Sequence, residues 1–446
     1  MLLSQVAAIT NGQLMGSDGN VISVNIDTRT LAQGDLYIAI VGESKNGHAY
    51  ISQAITAGAA AILSDRTLDV QIPYVKVADT TTALQQLAVA QRDVCDVKTI
   101  AVTGSCGKTT TRAFLQAVFA QKGNTHASVG SFNNHIGVPL TLLALKNEHE
   151  FLISEVGTNA MGEIAPLTMM IKPDVAMITN VGPGHLEGFG SLQNIAEEKG
   201  TIFSGLSQGG TAIINSDDRF ASYWRPLNQA HRILTFGIKH DADVMADNII
   251  MDAHGYASFT LVLPETYVDV TLATLGMHNV ANALAAAAAG YALGLTALQI
   301  KAGLEATVAE KHRLVKTVLP SGAILIDDSY NANPLSTEAA LSLLAQKASA
   351  SVLVFGDMKE LGDNALALHA DIGEKAKQLG LAHLYCYGDL TKQTADAFGE
   401  GAYHFDDKNR LIDQLKNELN PGQTILVKGS RSMKMEEVVA GLLSVE

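Results

Sequence analysis

The segment that most constrains the fold is a glycine turn between an apolar run and a helix-compatible stretch. Residues 97–102 form the apolar run, residues 104–110 read Gly-Ser-Cys-Gly-Lys-Thr-Thr, and residues 111–121 have helical character. A strand that enters such a turn and leaves it as a helix forms an anion cradle, because backbone N–H groups and the positive helix end point the same way. The sequence therefore predicts a P-loop on an α/β sheet.

The residues of this turn have distinct expected roles. Lys108 would reach the β- and γ-phosphates of a nucleoside triphosphate, and the Thr109 hydroxyl would complete the coordination shell of Mg²⁺. The general motif has a glycine five residues before Gly107, where this chain has Val102, so the loop is a shortened variant. The residues predicted to contact the phosphates are Gly104, Ser105, Cys106, Gly107, Lys108, Thr109 and Thr110.

Composition excludes several classes of protein. A chain of 446 residues suggests two to four domains, and a net charge of −14 argues against a nucleic-acid partner. Three widely spaced cysteines fit a reducing compartment. The first residues lack the basic and apolar regions of a signal peptide, and the alanine-rich stretch 280–295 indicates a buried helix rather than a membrane span. We expect a cytoplasmic protein with no membrane partner.

Strand and helix signals divide the chain into three blocks, which we place at residues 1–83, 84–311 and 312–446. The first block has four apolar runs and a connecting helix: 21–26, 35–41, 59–63, 74–77 and 81–94. The predicted fold class is α/β, with a small N-terminal α/β domain, a central doubly wound P-loop sheet and a C-terminal Rossmann-like domain.

The second and third blocks alternate strands with helices. In the second, residues 243–270 indicate an antiparallel extension, and the remaining strands and one helix are expected at 151–156, 175–181, 211–215 and 191–204. The third block lacks a G-x-G-x-x-G motif at its first turn, and its strands are expected at 323–327, 351–355, 384–387 and 424–427.

Polar residues at strand ends of the second block suit a metal site. Glu155 ends one predicted strand, and His185 follows another in a glycine-proline loop. Because parallel strands end at the same sheet edge, both side chains are expected near the P-loop. A lone loop histidine is more often structural or solvated, and Lys199, on the next helix, reads equally as a surface lysine beside Glu197 and Glu198.

Two later clusters suit a nucleotide enclosed between domains. Asn279 and Asn282 open the alanine-rich helix, where their amides would read an adenine edge or simply cap the helix. Arg313 lies at the boundary to the third block and would stabilise a transferring phosphate. Asp327 ends that block's first strand and would bind ribose or orient its neighbours.

The ordered set of P-loop, Glu155, His185, Lys199, Asn279, Asn282, Arg313 and Asp327 resembles the set of the Mur ligases. These are ATP-dependent ligases that build the peptide stem of bacterial peptidoglycan, and the resemblance spans the whole chain. Further segments resemble the branch that adds D-alanyl-D-alanine: 27–29, 133–141, 155–164, 327–334 and 356–362. The Tyr-Asn-Ala-Asn-Pro run at 330–334 discriminates best, and the Asp-Asn-Pro-Arg motif of the diaminopimelate-adding branch is absent.

The resemblance implies roles for individual residues. It implies ATP binding by the P-loop with Asn279, Asn282, Arg313 and Asp327, and catalytic roles for Lys108, Glu155, His185, Lys199 and Arg313. Two Mg²⁺ ions would be held by Thr109, Glu155, His185 and Lys199, with Lys199 carbamylated by CO₂. The implied substrates are UDP-N-acetylmuramoyl-tripeptide and D-alanyl-D-alanine, joined through an acyl phosphate by a monomer. Residues implied to bind them are Thr28, Arg29, Asn134, Thr158, Asn159, Tyr330, Asn331 and Asn333.

Two other functions share part of this pattern. Folylpolyglutamate synthetase has the same kind of ATPase block, but an N-terminal block with the Asp27-Thr28-Arg29 segment would have no purpose there. A P-loop switch that hydrolyses ATP slowly would need neither Lys199 nor a third block with its own substrate motifs. Phosphate release that depends on both a UDP-linked peptide and a dipeptide would separate the three.

Overall fold

The chain folds around three β-sheets, one in each of the blocks expected from the sequence. The computed structural model describes residues 1–42 and 45–444, and at 347–349 it describes the backbone only. The mixed α/β fold class with three domains is confirmed. The proposed domain boundaries stay a prediction.

The N-terminal sheet has five strands in the order β1-β5-β4-β3-β2, with β1 antiparallel to β5 and the other pairs parallel. Asp79 caps the helix that leads to the second domain, since its side chain accepts a hydrogen bond from the Thr82 N–H. The elements are α1 (Leu3–Ile9), β1 (Gln13–Met15), β2 (Val24–Asn25), β3 (Leu36–Ile38), α2 (Ile51–Thr56), β4 (Ala61–Ser64), β5 (Tyr74–Lys76) and α3 (Thr80–Val94).

The central sheet has nine strands in the order β14-β13-β12-β11-β10-β9-β6-β8-β7. Strands β6 to β12 pair in parallel, and β12 to β14 form the expected antiparallel extension. The strands are β6 (Lys98–Thr103), β7 (Thr125–Ala127), β8 (Phe151–Glu155), β9 (Val175–Ile178), β10 (Thr211–Asn215), β11 (Arg232–Gly237), β12 (Val244–Met251), β13 (Tyr256–Leu263) and β14 (Thr266–Leu275).

Helices cover this sheet, and one of them is the alanine-rich helix α10, which is buried along most of its length. Small side chains let α10 pack closely against the P-loop helix α4 and the strands. The helices are α4 (Lys108–Phe119), α5 (Gly137–Leu143), α6 (Ile164–Ile171), α7 (Leu186–Phe189), α8 (Leu192–Gly200), α9 (Ala221–Leu227), α10 (His278–Ala292) and α11 (Ala297–Ala306).

The C-terminal sheet has six strands in the order β15-β16-β20-β17-β18-β19, all parallel except β15. Asn333 caps α12 and Pro334 occupies its first turn, so the chain turns sharply after β16. The elements are β15 (Val315–Val318), β16 (Ile324–Asp328), α12 (Pro334–Leu344), β17 (Ser351–Gly356), α13 (Ala365–Gln378), β18 (His383–Tyr387), α14 (Thr391–Phe398), β19 (Ala402–Phe405), α15 (Lys408–Glu418), β20 (Thr424–Lys428) and α16 (Glu436–Leu443).

Several element limits differ from those expected. Helix α4 begins at Lys108 rather than at residue 111, because Gly107 itself is its N-cap. The strand expected at 21–26 is only Val24–Asn25, and the helix expected at 191–204 ends at Gly200 and continues as a 3₁₀ turn. Among the described residues, no helix is both long enough and apolar enough to cross a membrane.

We predict that Gly303→Ala lowers the free energy of unfolding by about 1–3 kcal/mol, the usual cost of overpacking. Helix α11 crosses α4 at Gly303, where an added Cβ would lie 2.3 Å from Val118 Cα. The loss should appear in urea denaturation although alanine favours helix by about 1 kcal/mol. Ala302→Ser, at the exposed neighbouring position, should change stability by no more than about 0.5 kcal/mol. A Gly303→Ala variant as stable as the wild type would contradict this packing.

Candidate active site

The P-loop follows β6 at the carboxyl edge of the central sheet and is held by close backbone contacts. Gly104 has φ 154°, and a Cβ there would lie 1.9 Å from Thr179 Oγ1. Gly107 has φ 83°, and a Cβ there would lie 2.3 Å from Asn282 Oδ1. Both positions therefore require glycine.

Two side chains of the loop after β9 hold Cys106. Asn180 Oδ1 accepts from the Cys106 N–H at 2.9 Å, and Asn180 Nδ2 donates to the Cys106 carbonyl at 3.1 Å. Thr179 Oγ1 donates to the same carbonyl at 2.5 Å. These bonds satisfy the N–H and carbonyl groups of Cys106 and fix the shape of the loop.

Lys108 lies at the start of α4 with its ammonium folded over the loop. Its Nζ donates to the Gly104 carbonyl at 2.7 Å. Desolvation lowers the pKa of Lys108, and the negative charge of Glu155 opposes that shift. A cation at this position suits a polyphosphate, whose charge would replace the missing solvation.

Glu155 ends β8 and is almost completely buried. Asn133 Nδ2 donates to its Oε1 at 2.8 Å, whereas Oε2, within the part of the chain that the structure describes, is buried without a hydrogen-bond partner. Buried Arg112 lies 4.0 Å from Oε2 and forms an ion pair with Glu310 at 2.5 Å. An unsatisfied buried carboxylate oxygen is costly unless a cation or donor completes it.

This carboxylate and the neighbouring hydroxyl fit Mg²⁺. Carboxylate and hydroxyl oxygens are ligands that Mg²⁺ accepts, usually together with phosphate oxygens and water. Thr109 is buried at the start of α4, and Glu155 Oε2 has a free coordination position. Within residues 1–42 and 45–444, no three His, Cys, Asp or Glu side chains lie close enough together to bind a metal ion by themselves.

His185 occupies the left-handed region, with φ 58°, in the loop after β9. Its Nδ1 donates a hydrogen bond to the carboxylate of Glu360 in the third domain, and this bond lowers the pKa of the Glu360 carboxyl. His185 also lines the large cleft described below.

Lys199 is buried, so it is not the surface lysine that its acidic neighbours allowed. Desolvation lowers its pKa to about 7, and the nearby charge of Lys108 contributes in the same direction. The neighbouring Glu198 is buried as well and caps α6, since it accepts from the N–H groups of residues 162, 163 and 164. A substantial fraction of Lys199 is therefore a neutral amine near pH 7.

Asn279 and Asn282 lie on α10 but do not cap it, because its N-cap is Met277. Asn282 Nδ2 donates to Asn279 Oδ1 at 2.8 Å, and Asn279 Nδ2 donates to the Leu275 carbonyl. Asn282 Oδ1 accepts from Thr111 at 3.3 Å. The pair braces α10 against the P-loop helix while lining the cleft, and its contact with adenine stays a prediction.

Arg313 reaches the P-loop from the start of the third domain. Its Nη2 donates to Thr109 Oγ1 at 3.0 Å, and its guanidinium lies 4.2 Å from the centre of the Tyr330 ring. His312 beside it donates from Nδ1 to Asp327 Oδ2 at 2.7 Å. Asp327 also accepts from Ser329, so it orients its neighbours, and it does not line the cleft.

The third domain supplies one wall of the cleft. Asn333 Oδ1 accepts from Cys106 Sγ at 3.2 Å, which joins the P-loop to the cap of α12. Lys428, at the end of β20, is buried and donates to Asp328 at 2.6 Å and to the Asn331 carbonyl at 3.0 Å. Polar and charged groups thus face the P-loop across the domain boundary.

The cleft has a volume of about 850 Å³ and is lined by all three domains, with Gly42 from the first. The structure brings into it most of the residues that the sequence indicated: Ser105, Cys106, Gly107, Lys108, Thr109, Thr110, Asn134, Glu155, Thr158, Asn159, His185, Asn279, Asn282, Arg313, Tyr330, Asn331 and Asn333.

The other five predicted site residues are not part of the cleft lining: Thr28, Arg29, Gly104, Lys199 and Asp327. Thr28 and Arg29 are in the turn after β2, where the exposed Arg29 side chain pairs with Asp27. Their contact with a uridine diphosphate stays a prediction, as do the individual roles of the other predicted site residues.

Sequence reasoning missed several groups that build this site. Asn180 follows β9, the strand that precedes His185, and Lys428 ends β20 of the third sheet, so the strand-end rule would have found both. Arg112 and Asn133 left no such signal, because their contact with Glu155 arises from packing between separate elements. His278, half-buried and also lining the cleft, was noted only as part of the α10 cluster.

Sequence models of known families match three consecutive parts of the chain. The Mur ligase family catalytic domain matches residues 20–101, the Mur ligase middle domain matches 102–290, and the Mur ligase glutamate ligase domain matches 312–431. The chain belongs to the Mur ligase family. The resemblance drawn from its motifs is therefore confirmed.

Individual relatives within the Mur ligase family are similar over nearly the whole chain. UDP-N-acetylmuramoyl-tripeptide–D-alanyl-D-alanine ligase of Escherichia coli K12 is 42% identical over 443 residues, covering 99% of this chain and 98% of its own. The Bacillus subtilis 168 protein with the same name is 36% identical and covers 94% and 93%.

Solved structures of Mur ligases have the same three-domain fold. A crystal structure of MurF from Acinetobacter baumannii has a TM-score of 0.92 at 32% identity, covering 99% of this chain and 98% of its own. MurF from Thermotoga maritima, in complex with ADP, has a TM-score of 0.84 at 26% identity and covers 94% and 96%.

We predict that the stability of the protein carries a pH dependence due to Lys199. With a folded pKa of about 7 against an ordinary 10.5, the folded state binds one proton fewer than the unfolded state between these values. The wild type's free energy of unfolding should therefore gain about 1.4 kcal/mol per pH unit from this group as pH rises from 7 to 9.

Lys199→Met should remove this contribution. The variant should therefore be more stable than the wild type at pH 7, and this difference in the free energy of unfolding should shrink toward pH 9 in CO₂-free buffer. Urea denaturation at several pH values measures the difference. Lys392→Met, at an exposed lysine, should show no such trend. If the difference in the free energy of unfolding between Lys199→Met and the wild type stays constant from pH 7 to 9, the lowered pKa of Lys199 is refuted.

Proposed function

We propose that this chain is an ATP-dependent ligase that joins D-alanyl-D-alanine to UDP-N-acetylmuramoyl-tripeptide. The observation that carries the proposal is the position of the P-loop, which faces a polar wall of the third domain built around Tyr330, Asn331 and Asn333. The relatives described above, which carry this activity in their names, match the chain along almost its full length.

ATP would bind with its phosphates on the P-loop. The N–H groups at the start of α4 and the Lys108 ammonium face that position, and Arg313 enters from the third domain. Thr109 and Glu155 would hold Mg²⁺, which would neutralise phosphate charge and polarise the γ-phosphoryl group. On binding, Lys108 exchanges the Gly104 carbonyl for phosphate oxygens, and Arg313 is freed from Thr109 to do the same.

The first chemical step would activate the tripeptide's terminal carboxylate. A carboxylate oxygen forms a bond to the γ-phosphorus while the bond to the β,γ-bridging oxygen breaks, giving an acyl phosphate and ADP. Repulsion between two anions is the barrier that the protein must lower. Lys108 and Arg313 supply two positive charges at the place where these anions meet.

The second step would form the peptide bond. The neutral amine of D-alanyl-D-alanine adds to the acyl carbon, the amine proton is lost, and the tetrahedral species expels phosphate. The third-domain wall is well placed to hold the dipeptide, and the Arg313–Thr109 and Cys106–Asn333 contacts close that wall over the P-loop. Closure would keep water from the acyl phosphate.

The remaining substrate contacts would come from the first and second domains. The N-terminal domain would hold the uridine diphosphate end through Thr28 and Arg29, and Asn134, Thr158 and Asn159 would line the path of the peptide stem. One chain supplies lining residues from all three domains, which supports the proposal of a monomeric enzyme, and its location in the cytoplasm stays a prediction.

We predict that ATP-dependent phosphate release requires both substrates. With Mg²⁺ and UDP-N-acetylmuramoyl-tripeptide, release should occur with D-alanyl-D-alanine and not with D-glutamate or diaminopimelate. Lys108→Ala should lower the rate at least about 100-fold, since the lost charge acts on the transferring phosphate. Lys122→Ala, just beyond the far end of α4, is the control. Release with another amine, or with no acceptor at all, would refute the proposal.

Lys199 would act as a carbamate. CO₂ reacts only with a neutral amine, and the lowered pKa of Lys199 provides one at neutral pH. The neutral amine nitrogen bonds to the CO₂ carbon and releases one proton, so the uncharged amine becomes an anionic carbamate. Such an anion would relieve the repulsion between Lys199 and Lys108 and would complement a second Mg²⁺.

We predict a carbamate ¹³C resonance in protein equilibrated with ¹³C-bicarbonate, absent in Lys199→Met. Removal of CO₂ should reduce ligase activity of the wild type, and bicarbonate should restore it, while Lys199→Met stays inactive in both conditions. Lys392→Met serves as control and should behave like the wild type. A wild type that keeps full activity after CO₂ removal, or shows no Lys199-dependent resonance, would disprove carbamylation.

A further inference from the structure

The third domain touches the His185 loop through one short segment after β17. Glu360 accepts a hydrogen bond from His185 Nδ1 through its carboxylate. Its backbone carbonyl also accepts from the Glu187 N–H at 3.4 Å. Both Glu360 and His185 have a left-handed backbone, with φ of 64° and 58°. The contact joins two loops that lie 175 positions apart in the chain (residues 185 and 360).

The segment that carries Glu360 is fixed to the third domain by each preceding residue. The buried Asp357 carboxylate accepts from the N–H groups of Leu390 and Thr391. The Met358 N–H donates to His369 Nε2 at 3.0 Å, and the Lys359 N–H donates to Ser430 Oγ at 2.8 Å. Glu360 therefore moves with the third domain as one body.

The geometry determines which nitrogen of His185 carries a proton. A carboxylate only accepts hydrogen bonds, so Nδ1 must donate, and a neutral ring then has its lone pair on Nε2. His185 lines the cleft, whereas Glu360 does not, and the Glu360 side chain is 59% exposed. A carboxylate behind a histidine in this way fixes the tautomer and direction of the ring.

We propose that Glu360 is a positioning residue that orients His185 for the reaction only while the third domain is closed. The proposal rests on the proposed function, since it assigns His185 to that site. Domain closure then does two things at once. It brings Arg313 to the P-loop, and it sets the lone pair of His185 toward the cleft. In an open enzyme Arg313 is away from the P-loop and His185 is not oriented, so ATP does not react before the third domain closes.

The first test reads the His185 ring directly, without metal or turnover. The full-length protein is labelled with ¹⁵N-histidine and studied with a non-hydrolysable ATP analogue, and the His185 signals are assigned with His185→Gln. The wild type should show the Nδ1–H tautomer. Glu360→Ala should lose it, and so should Glu360→Gly, which suits the φ of 64° and guards against a folding defect.

Two variants separate the hydrogen bond from the charge. Glu360→Gln keeps an acceptor oxygen for Nδ1–H and should retain the tautomer. Asp363→Asn removes one negative charge from an exposed position in the same loop and should leave the ring unchanged. The proposal is overturned if Glu360→Ala and Glu360→Gly keep the wild-type His185 signature.

Kinetics provides the second test. Glu360→Ala should lower kcat about 10–100-fold, the usual effect of removing such a partner, with a smaller change in KM for ATP. Glu360→Gln should recover much of this loss, and Asp363→Asn should match the wild type. Equal kcat for Glu360→Ala and wild type would overturn the proposal. A wild type without ligase activity would instead refute the proposed function, while the tautomer measurement would still report on Glu360.

Discussion

The close passage of the P-loop between two neighbours is the constraint on which the rest of the site depends. Gly104 lies against Thr179 and Gly107 against Asn282, and neither contact leaves room for a side chain. Asn180 then holds the backbone of Cys106 on both its N–H and its carbonyl. Because these contacts hold the loop, the start of α4 is fixed in place before any ligand arrives, which is what electrostatic preorganisation requires.

The site also contains charged groups that are removed from solvent. Glu155 and Lys199 are buried, desolvation lowers the pKa values of Lys108 and Lys199, and the charged group beside Glu155 Oε2 is Arg112, 4.0 Å away. Such groups cost stability in the free protein. The presence of these groups is explained if bound phosphate, a metal ion and a modified Lys199 amine complete the charge balance.

The third domain completes the site through three contacts of different chemistry. Arg313 reaches the Thr109 hydroxyl, Asn333 accepts from the Cys106 thiol, and Glu360 accepts from His185. None of these is a large apolar interface, so the contacts suit a domain that opens and closes. Catalytic groups supplied by two domains also make chemistry conditional on closure, which protects a hydrolysable intermediate.

The sequence by itself determined the three-block α/β fold, the P-loop, and the strand-end residues Glu155 and His185, because hydrophobic periodicity and glycine turns are local signals. Its ordered motifs also identified the family. Only the tertiary structure decided that Lys199 is buried, that Arg112 lies beside Glu155, and that Glu360 meets His185. These facts depend on packing between elements far apart in the chain, and no local pattern records which side chains that packing brings together.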